Sequence, residues 1–255
     1  MRIVMRLVTA VVLVTLFAAA ATAKDRLTIG TEGAYPPFNN LTADGELVGF
    51  DIDIAKALCA RMAVDCSFVA VDWDGLIPAL QAGKIDVIMA SLTITDERRK
   101  HVLFTHKYYA TPLAIVARKE AGLATVEPSA LSGKTLGVQG QTWQADYAAD
   151  TFGAAGTELK LYPSQIEAML DLSSGRLDAV LSDKIQLLDW MKTDGADCCV
   201  MVGDVAGTGA EAGIAVRLDD AALRDRLEAA LDAIRADGTY DAIRKRYFDF
   251  DIYGR

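Results

Sequence analysis

The stretch LQAGKIDVIMASLTITDER, Leu80 to Arg98, with Arg99 directly after it, combines a turn, a strand and a polar rim. Gly83 and Lys84 are typical of a helix end, and the mostly apolar run 85–89 is short enough for a buried strand. Such a strand needs cover on both faces, as in α/β sheets, where ligands bind beyond the carboxyl ends of the strands. The residues that follow it and suit a carboxylate ligand are Ser91, Thr93, Thr95, Arg98 and Arg99.

The same pattern occurs again in LSSGRLDAVLSD, Leu172 to Asp183. Both this segment and 80–91 contain a leucine, a glycine three residues later, a basic residue, an aliphatic residue, an aspartate and an apolar strand with a polar end. One explanation is chance, because a glycine before a strand is a common junction. The other is two similar α/β lobes, in which the strand ends at Ser91 and Asp183 face a shared cleft.

The N-terminus has the features of a secretory signal peptide. Two arginines precede the apolar run 7–20, and Ala21 and Ala23 provide small residues for cleavage. We therefore expect a signal peptide over residues 1–23, a mature chain that begins near Lys24, and export to the periplasm. An uncleaved membrane anchor is the alternative, but the apolar run is short for a span.

Composition sets further limits on the protein. With 255 residues, 52% of them hydrophobic, the chain can bury one large or two modest cores, which excludes disorder. Removal of residues 1–23 leaves 24 basic and 35 acidic residues, a net charge near −11. This charge excludes nucleic acid as an expected partner and is compatible with cationic small molecules.

Four cysteines in an exported chain suggest disulfides. Cys59 falls late in a predicted helix and Cys66 just before a predicted strand, so a bridge could join the two elements. Cys198 and Cys199 are adjacent, and consecutive Cα atoms lie closer than normal disulfide geometry allows. We expect these two to be free thiols, and no third ligand nearby completes a metal site with them.

The remaining patterns predict α/β elements along the whole chain. The loop 31–38, rich in proline and glycine, should be irregular, and 107–118 and 203–213 should cross between lobes. Lobe 1 is then 24–111 plus 208–255, and lobe 2 is 112–207. Strands are expected at 27–30, 67–71, 134–138 and 177–181, and helices from Asp51, after a cap at Asp74, from Trp143, over 165–172 and 223–234, and from Tyr240.

Familiar catalytic arrangements are absent from the sequence. His101 and His106 have no evident nucleophile beside them, and neither a G-x-S-x-G motif nor a P-loop occurs. Taken singly, Arg98 could belong to a solvated face and Asp183 could cap a helix. Presented together by opposite lobes, they match the carboxylate and ammonium of a free α-amino acid. The groups at predicted strand ends are Tyr35, Trp73, Ser91, Thr93, Arg98, Thr142 and Asp183.

Several long motifs carry a resemblance to a known family. The chain resembles the periplasmic amino-acid-binding proteins of ABC importers, solute-binding family 3, particularly the lysine/arginine/ornithine- and histidine-binding types. The resemblance implies a type II periplasmic binding protein fold, with two lobes that are each a mixed sheet flanked by helices. It further implies a monomer without cofactor or metal that delivers its ligand to a membrane ABC permease. The motifs are GTEGAYPPF (30–38), GELVGFDIDIAKALCARM (45–62), DWDGLIPALQAGKIDVIMASLTITDERR (72–99), GRLDAVLSD (175–183) and DGTYDAIRKRYFDFDIYG (237–254).

The resemblance also assigns roles in the recognition of the amino-acid head group. Arg98 matches the arginine that binds the ligand α-carboxylate. Ser91, Thr93 and Thr142 stand in supporting positions. Asp183 matches the aspartate that receives the α-ammonium.

Other matching positions concern the ligand side chain. Tyr35 and Trp73 match an aromatic pair that flanks it, with Trp73 where phenylalanine is usual. Glu32 replaces an aspartate near the distal cation of basic ligands. Cys59 and Cys66 match the family disulfide.

Three positions depart from the close relatives. Ala90 lacks a hydroxyl, and Gln141 and Trp143 replace smaller or amide residues, so the side-chain pocket is less well defined than the head-group site. The expected ligand-binding residues are Glu32, Tyr35, Trp73, Ala90, Ser91, Leu92, Thr93, Arg98, Val138, Gln141, Thr142, Trp143 and Asp183.

The predicted function is capture of a basic L-amino acid, namely arginine, lysine, ornithine or histidine, by hinge closure. An opine or a polar neutral amino acid is the alternative ligand. An enzyme of the cyclohexadienyl-dehydratase type is a second alternative, with Glu32 or Asp183 as the acid. A receptor sensor domain is disfavoured, because we expect no span or signalling domain in a chain that ends at Arg255.

Overall fold

The computed structural model describes residues 26–254. The predicted signal peptide, residues 1–23, and the predicted mature start at Lys24 lie outside the described residues. Within 26–254, none of the helices combines the length and the apolar character that a membrane crossing requires.

Residues 26–254 form thirteen strands and nine α-helices. The strands are β1 (Arg26–Thr31), β2 (Ala34–Tyr35), β3 (Asn39–Leu41), β4 (Leu47–Val48), β5 (Asp65–Ala70), β6 (Val87–Ile88), β7 (Leu103–Thr111), β8 (Leu113–Arg118), β9 (Thr135–Gln139), β10 (Glu158–Tyr162), β11 (Ala179–Asp183), β12 (Cys199–Asp204) and β13 (Ala210–Val216). The helices are α1 (Phe50–Met62), α2 (Leu76–Gln81), α3 (Asp96–Arg99), α4 (Pro128–Leu131), α5 (Trp143–Thr151), α6 (Gln165–Ser173), α7 (Lys184–Trp190), α8 (Ala221–Ala236) and α9 (Thr239–Arg244).

Two five-stranded sheets share one plan. The first has the order β5-β1-β6-β13-β7 and the second the order β10-β9-β11-β8-β12. In each, the first three strands are parallel and the last two are antiparallel to their neighbours. A small antiparallel sheet, β2-β3-β4, adjoins the first. The chain therefore has the predicted mixed α/β, two-lobed type II architecture; lobe 1 is built on the first sheet and lobe 2 on the second.

The repeated sequence pattern reflects this shared plan. It places β6 and β11 at equivalent positions, each at the centre of its sheet between a parallel and an antiparallel neighbour. The chain passes between the sheets twice, at Pro112 between β7 and β8 and through residues 205–209 between β12 and β13. Both passages lie inside segments predicted to cross. The exact bounds of the two lobes stay a prediction.

Apolar periodicity explains how the helices dock on the first sheet. Leu223, Leu227 and Leu231 of α8 recur at four-residue spacing, and all three are buried. They belong to the same core cluster as Ile54 and Leu58 of α1, so the two helices pack together over the sheet. The C-terminal part of the chain thereby returns to lobe 1.

Two local predictions are wrong. The loop 31–38 was expected to be irregular, but Ala34 and Tyr35 pair antiparallel with Asn40 and Asn39. The prolines come after the paired residues and so remove neither of their amide donors. Asp74 does not cap α2; it lies inside a 3₁₀ turn, Trp73–Gly75, that leads into the helix.

The cysteines give one confirmed and one wrong prediction. Cys59 and Cys66 form a disulfide between α1 and β5, with Cα atoms 6.2 Å apart. Cys198 and Cys199, expected as free thiols, are bonded to each other, with Cα atoms 3.7 Å apart. The usual separation applies to cysteines from different segments, whereas the adjacent Cys198 and Cys199, where a turn meets β12, close a small ring through their own peptide bond.

Candidate functional site

A small cavity lies between the two lobes. Most of the residues around it lie at or beyond the carboxyl ends of β1, β5, β6 and β9, where an α/β sheet binds ligands. Seven of the nine lining residues belong to the predicted set, so the structure brings together most of the side chains selected from the sequence. The lining residues are Glu32, Tyr35, Trp73, Ala90, Ser91, Thr93, Gln139, Thr142 and Gln144.

Asp183 joins the two lobes at one end of the site. Its carboxylate accepts hydrogen bonds from the Tyr35 hydroxyl at 2.8 Å and the Gln144 amide at 3.2 Å. It occupies the N-cap position of α7 but makes no side-chain bond to that helix. Burial raises the pKa of Asp183 to about 6, and the bonds from Tyr35 and Gln144 oppose that shift. At neutral pH Asp183 is a buried anion with neutral partners, which favours a cationic ligand group.

Glu32 makes a second contact across the cleft. The Gln139 amide of β9 donates to the Glu32 carboxylate at 2.6 Å. Burial raises the pKa of Glu32 to about 7; the bond from Gln139 opposes this shift, and the negative charge of Asp72 adds to it. A ligand cation beside the carboxylate would favour its ionised form. It would thereby offset both the burial and the repulsion from Asp72.

Arg98 lies in α3, which begins after the cap residue Thr95. Its guanidinium donates to the carbonyl of Thr93 at 2.9 Å and to that of Gln141, on the opposite lobe, at 3.4 Å. The same Gln141 carbonyl accepts a bond from the Trp73 indole at 3.0 Å, and the Arg98 guanidinium lies 5.3 Å from the Trp73 ring centre. Burial lowers the pKa of Arg98 to about 10, so this group remains a cation at neutral pH.

Thr142 starts α5 on the lobe 2 side of the cavity. Its hydroxyl oxygen accepts a bond from the Ala145 amide at 3.1 Å, and the hydroxyl donates to the Gln139 carbonyl at 2.7 Å. These bonds fix the first turn of α5 and the loop before it against the cavity. Thr142 therefore has a defined orientation, as its N-cap sequence position indicates.

Several predicted residues lie behind or beside the cavity. Leu92 and Val138 are buried in the apolar clusters of lobes 1 and 2. Trp143 packs beside Tyr147, with ring centres 6.2 Å apart, and Gln141 is exposed on the rim. Their roles in ligand binding stay predictions.

Gln139 and Gln144 line the cavity but were not selected from the sequence. Both occur in the segment QGQTWQ, 139–144, which also contains the predicted Thr142. Glutamine carries no charge and no reactive group, so its type alone gave no signal. Their position at and just beyond the carboxyl end of β9 was the one feature that could have indicated them.

The sequence profile of the bacterial extracellular solute-binding proteins, family 3, matches residues 27–250. The chain belongs to this family. The family predicted from the sequence motifs is thus confirmed for this family 3 solute-binding protein. The match spans both sheets and both crossings.

Curated relatives and a solved structure agree with the family 3 assignment. The L-arginine-binding protein of Pseudomonas aeruginosa is 47% identical over 232 residues, covering 89% of each chain. The lysine/arginine/ornithine-binding periplasmic protein of Escherichia coli K12 is 41% identical over 232 residues, covering 89% of this chain and 88% of that protein. The structure of an ancestral arginine-binding protein bound to arginine superposes with a TM-score of 0.83 at 38% identity, covering 89% of this chain and 99% of that one.

Proposed function

We propose that this protein captures a free basic L-amino acid, arginine foremost, in the cavity between its lobes and delivers it to a membrane ABC permease. The observation that carries the proposal is the presence of a buried anion, Asp183, on one lobe and a partly buried cation, Arg98, on the other. These charges complement the ammonium and carboxylate of an α-amino acid. The names of the relatives support arginine, lysine and ornithine as candidates.

The head group is held by four side chains in this proposal. Arg98 binds the α-carboxylate with two parallel hydrogen bonds, aided by Thr93 and Thr142. Asp183 accepts hydrogen bonds from the α-ammonium, so its carboxylate gains a charged partner where the partners it has now are neutral. Because Arg98 and Asp183 belong to different lobes, one ligand can satisfy both only when the cleft is closed.

The side chain lies toward Glu32 between the aromatic residues Tyr35 and Trp73. A guanidinium or ammonium is attracted to the faces of these rings and pairs with the Glu32 carboxylate. A neutral side chain would leave Glu32 buried without a cationic partner, so it is disfavoured.

The setting of the protein belongs to the same proposal. Residues 1–23 direct export to the periplasm, and a monomer made of the lobes 24–111 plus 208–255 and 112–207 closes about its two crossing segments. Ala90, Leu92, Val138, Gln141 and Trp143 complete the wall of the ligand site. The ABC permease recognises the closed, loaded form.

Calorimetry on unfolded, dialysed and refolded protein tests the proposal. Arginine, lysine and ornithine should bind far more tightly than glutamine or glutamate, because only the basic side chains pair with Glu32. The opposite order would overturn the assignment of the side-chain pocket. Failure of all amino acids to bind would overturn the function itself.

The affinity for arginine should depend on pH through Glu32. Since the pKa of this carboxyl is raised to about 7 and a cation binds its ionised form, binding below that pH must release a proton. We expect the association constant to rise about tenfold per pH unit up to about 7 and then to level off. The lower pKa of Asp183, about 6, steepens the dependence below that pH.

Titrations from pH 5 to 8, in buffers of different ionisation enthalpy, measure both the affinity and the number of protons released. In the Glu32→Gln variant the affinity should be weaker and independent of pH above about 6. A wild-type profile that is flat between pH 5 and 7 would contradict the role of Glu32.

One observation favours a second candidate, an enzyme of the dehydratase type. A cavity carboxyl with a pKa of about 7, such as Glu32, is half protonated at neutral pH and can donate a proton. The curated relatives are named as binding proteins, which supports transport instead. Incubation with prephenate or arogenate should leave both compounds unchanged, and release of their dehydrated products would establish the enzyme.

A further inference from the structure

A buried carboxylate, Asp51, lies directly behind the part of the cavity wall that lobe 1 contributes. It belongs to the first turn of α1 and is fully buried. It accepts hydrogen bonds from the Asn39 amide at 2.9 Å, the Ser91 hydroxyl at 3.1 Å and the Tyr108 hydroxyl at 2.8 Å. Asn39 and Tyr108 are also fully buried, so this network is closed to solvent.

The network reaches both loops that carry the lobe 1 side chains of the cavity. Asn39 accepts a bond from the Gly33 amide at 2.8 Å, which holds the loop that bears Glu32 and Tyr35. The Tyr108 hydroxyl accepts a bond from the Ser91 amide at 3.0 Å, which holds the segment after β6. One carboxylate thus connects two loops that leave different strands.

Ser91 shows why this support matters. Its φ of 55° lies in the left-handed region, which residues other than glycine rarely adopt. Burial raises the pKa of Asp51 to about 6, and the hydrogen bonds that it accepts oppose this shift. Because about 6 is still below neutral pH, Asp51 is ionised there and the Ser91 hydroxyl donates to it. Both donors of Ser91 therefore point into lobe 1, and the residue keeps this conformation because Asp51 and Tyr108 hold it.

We propose that Asp51 and Tyr108 are positioning residues of the amino-acid site, which hold the loop 31–35 and the segment 90–93 in the arrangement that a ligand requires. This inference rests on the proposed function. It assigns Ser91 to the support of the site, with ligand contact left to Thr93 and Arg98. Affinity for every amino acid, whatever its side chain, then depends on the Tyr108 hydroxyl.

The next residue on β7 provides a matched control. Tyr109 is 1% exposed and Tyr108 is 0% exposed, and both rings stack on phenylalanines of the same core. Among the described residues, the Tyr109 hydroxyl has no hydrogen-bond partner. Replacing either tyrosine by phenylalanine removes the same atom from the same core, but only Tyr108→Phe breaks the network.

The experiment compares Tyr108→Phe, Tyr109→Phe and wild type in the mature chain. Calorimetry should show that Tyr108→Phe weakens the binding of arginine and of lysine by the same factor, about tenfold or more, because the lost hydroxyl makes two buried hydrogen bonds. Tyr109→Phe should remain within about twofold of wild type. Hydrogen exchange followed by NMR should show reduced protection of the Ser91 amide in Tyr108→Phe alone, a local change that a general loss of stability would not produce.

Asp51→Asn serves as a second variant if Tyr108→Phe does not fold; it should weaken both ligands equally and reduce the protection of the Ser91 and Gly33 amides. Equal affinities of the two tyrosine variants, or a loss confined to one ligand, would overturn the inference while leaving the proposed function intact. A wild-type protein that bound no amino acid would instead overturn the proposed function.

Discussion

Replacing Arg98 with alanine should abolish binding of every amino acid that the wild-type protein binds. The α-carboxylate is common to all of them, and without the guanidinium it would be buried opposite neutral hydroxyls and amides. Truncation of one partner in such a charged pair weakens binding on the order of a thousandfold. Calorimetry with arginine, lysine and ornithine measures the loss.

Arg99 is the matched control for this experiment. It follows Arg98 on the same short helix, but it is exposed and its guanidinium lies 6.0 Å from the Phe104 ring centre, within lobe 1. Arg99→Ala should bind with wild-type affinity. Near-normal binding by Arg98→Ala would refute the carboxylate role, whereas a large loss in Arg99→Ala would mean that the charge of α3 matters rather than one guanidinium.

Replacing Asp183 with asparagine should weaken amino-acid binding by on the order of a hundredfold or more. Asparagine keeps the shape and an acceptor for the Tyr35 hydroxyl but removes the charge that balances the α-ammonium. The loss should therefore depend on that ammonium. An arginine analogue that lacks the α-amino group should bind weakly to wild type and lose little further affinity in Asp183→Asn.

Asp189→Asn, at the far end of α7, provides a control with the same change of net charge at a half-buried position. It should leave the affinity unchanged. If Asp183→Asn weakened the analogue and arginine by equal factors, the carboxylate would serve only to hold Tyr35 and Gln144, and the ammonium assignment would be wrong.

Residues that follow a buried strand could be located from the sequence alone. The change from an apolar run to hydroxyls and charges after β6 marked Ser91, Thr93 and Arg98, and the repeat at β11 marked Asp183. Local periodicity is sufficient for this, because it shows where a strand ends. In an α/β sheet the carboxyl ends of parallel strands lie at the same edge, which is the edge that binds ligands. The same information indicated the two-lobed fold.

Contacts between distant segments could not be predicted in this way. Asp51 occurs in a stretch, FDID, that has the pattern of a helix start with exposed acids, yet it is fully buried. Its partners Asn39, Ser91 and Tyr108 come from three other segments, and only their assembly shows that a carboxylate is needed there. Gln139 and Gln144 were missed for the same reason, since their importance lies in bonds to Glu32 and Asp183 from remote parts of the chain.

The bond from the Trp73 indole to the Gln141 carbonyl has an optical consequence. Trp73 is attached to lobe 1, and its partner belongs to lobe 2. Of the other two tryptophans of the chain, Trp190 packs inside lobe 2, whereas Trp143 faces lobe 1 residues across a pocket. Opening of the cleft changes the hydrogen bonding and hydration of Trp73 and the surroundings of Trp143, and it leaves Trp190 in place, so the chain has a built-in fluorescent reporter of its own closure.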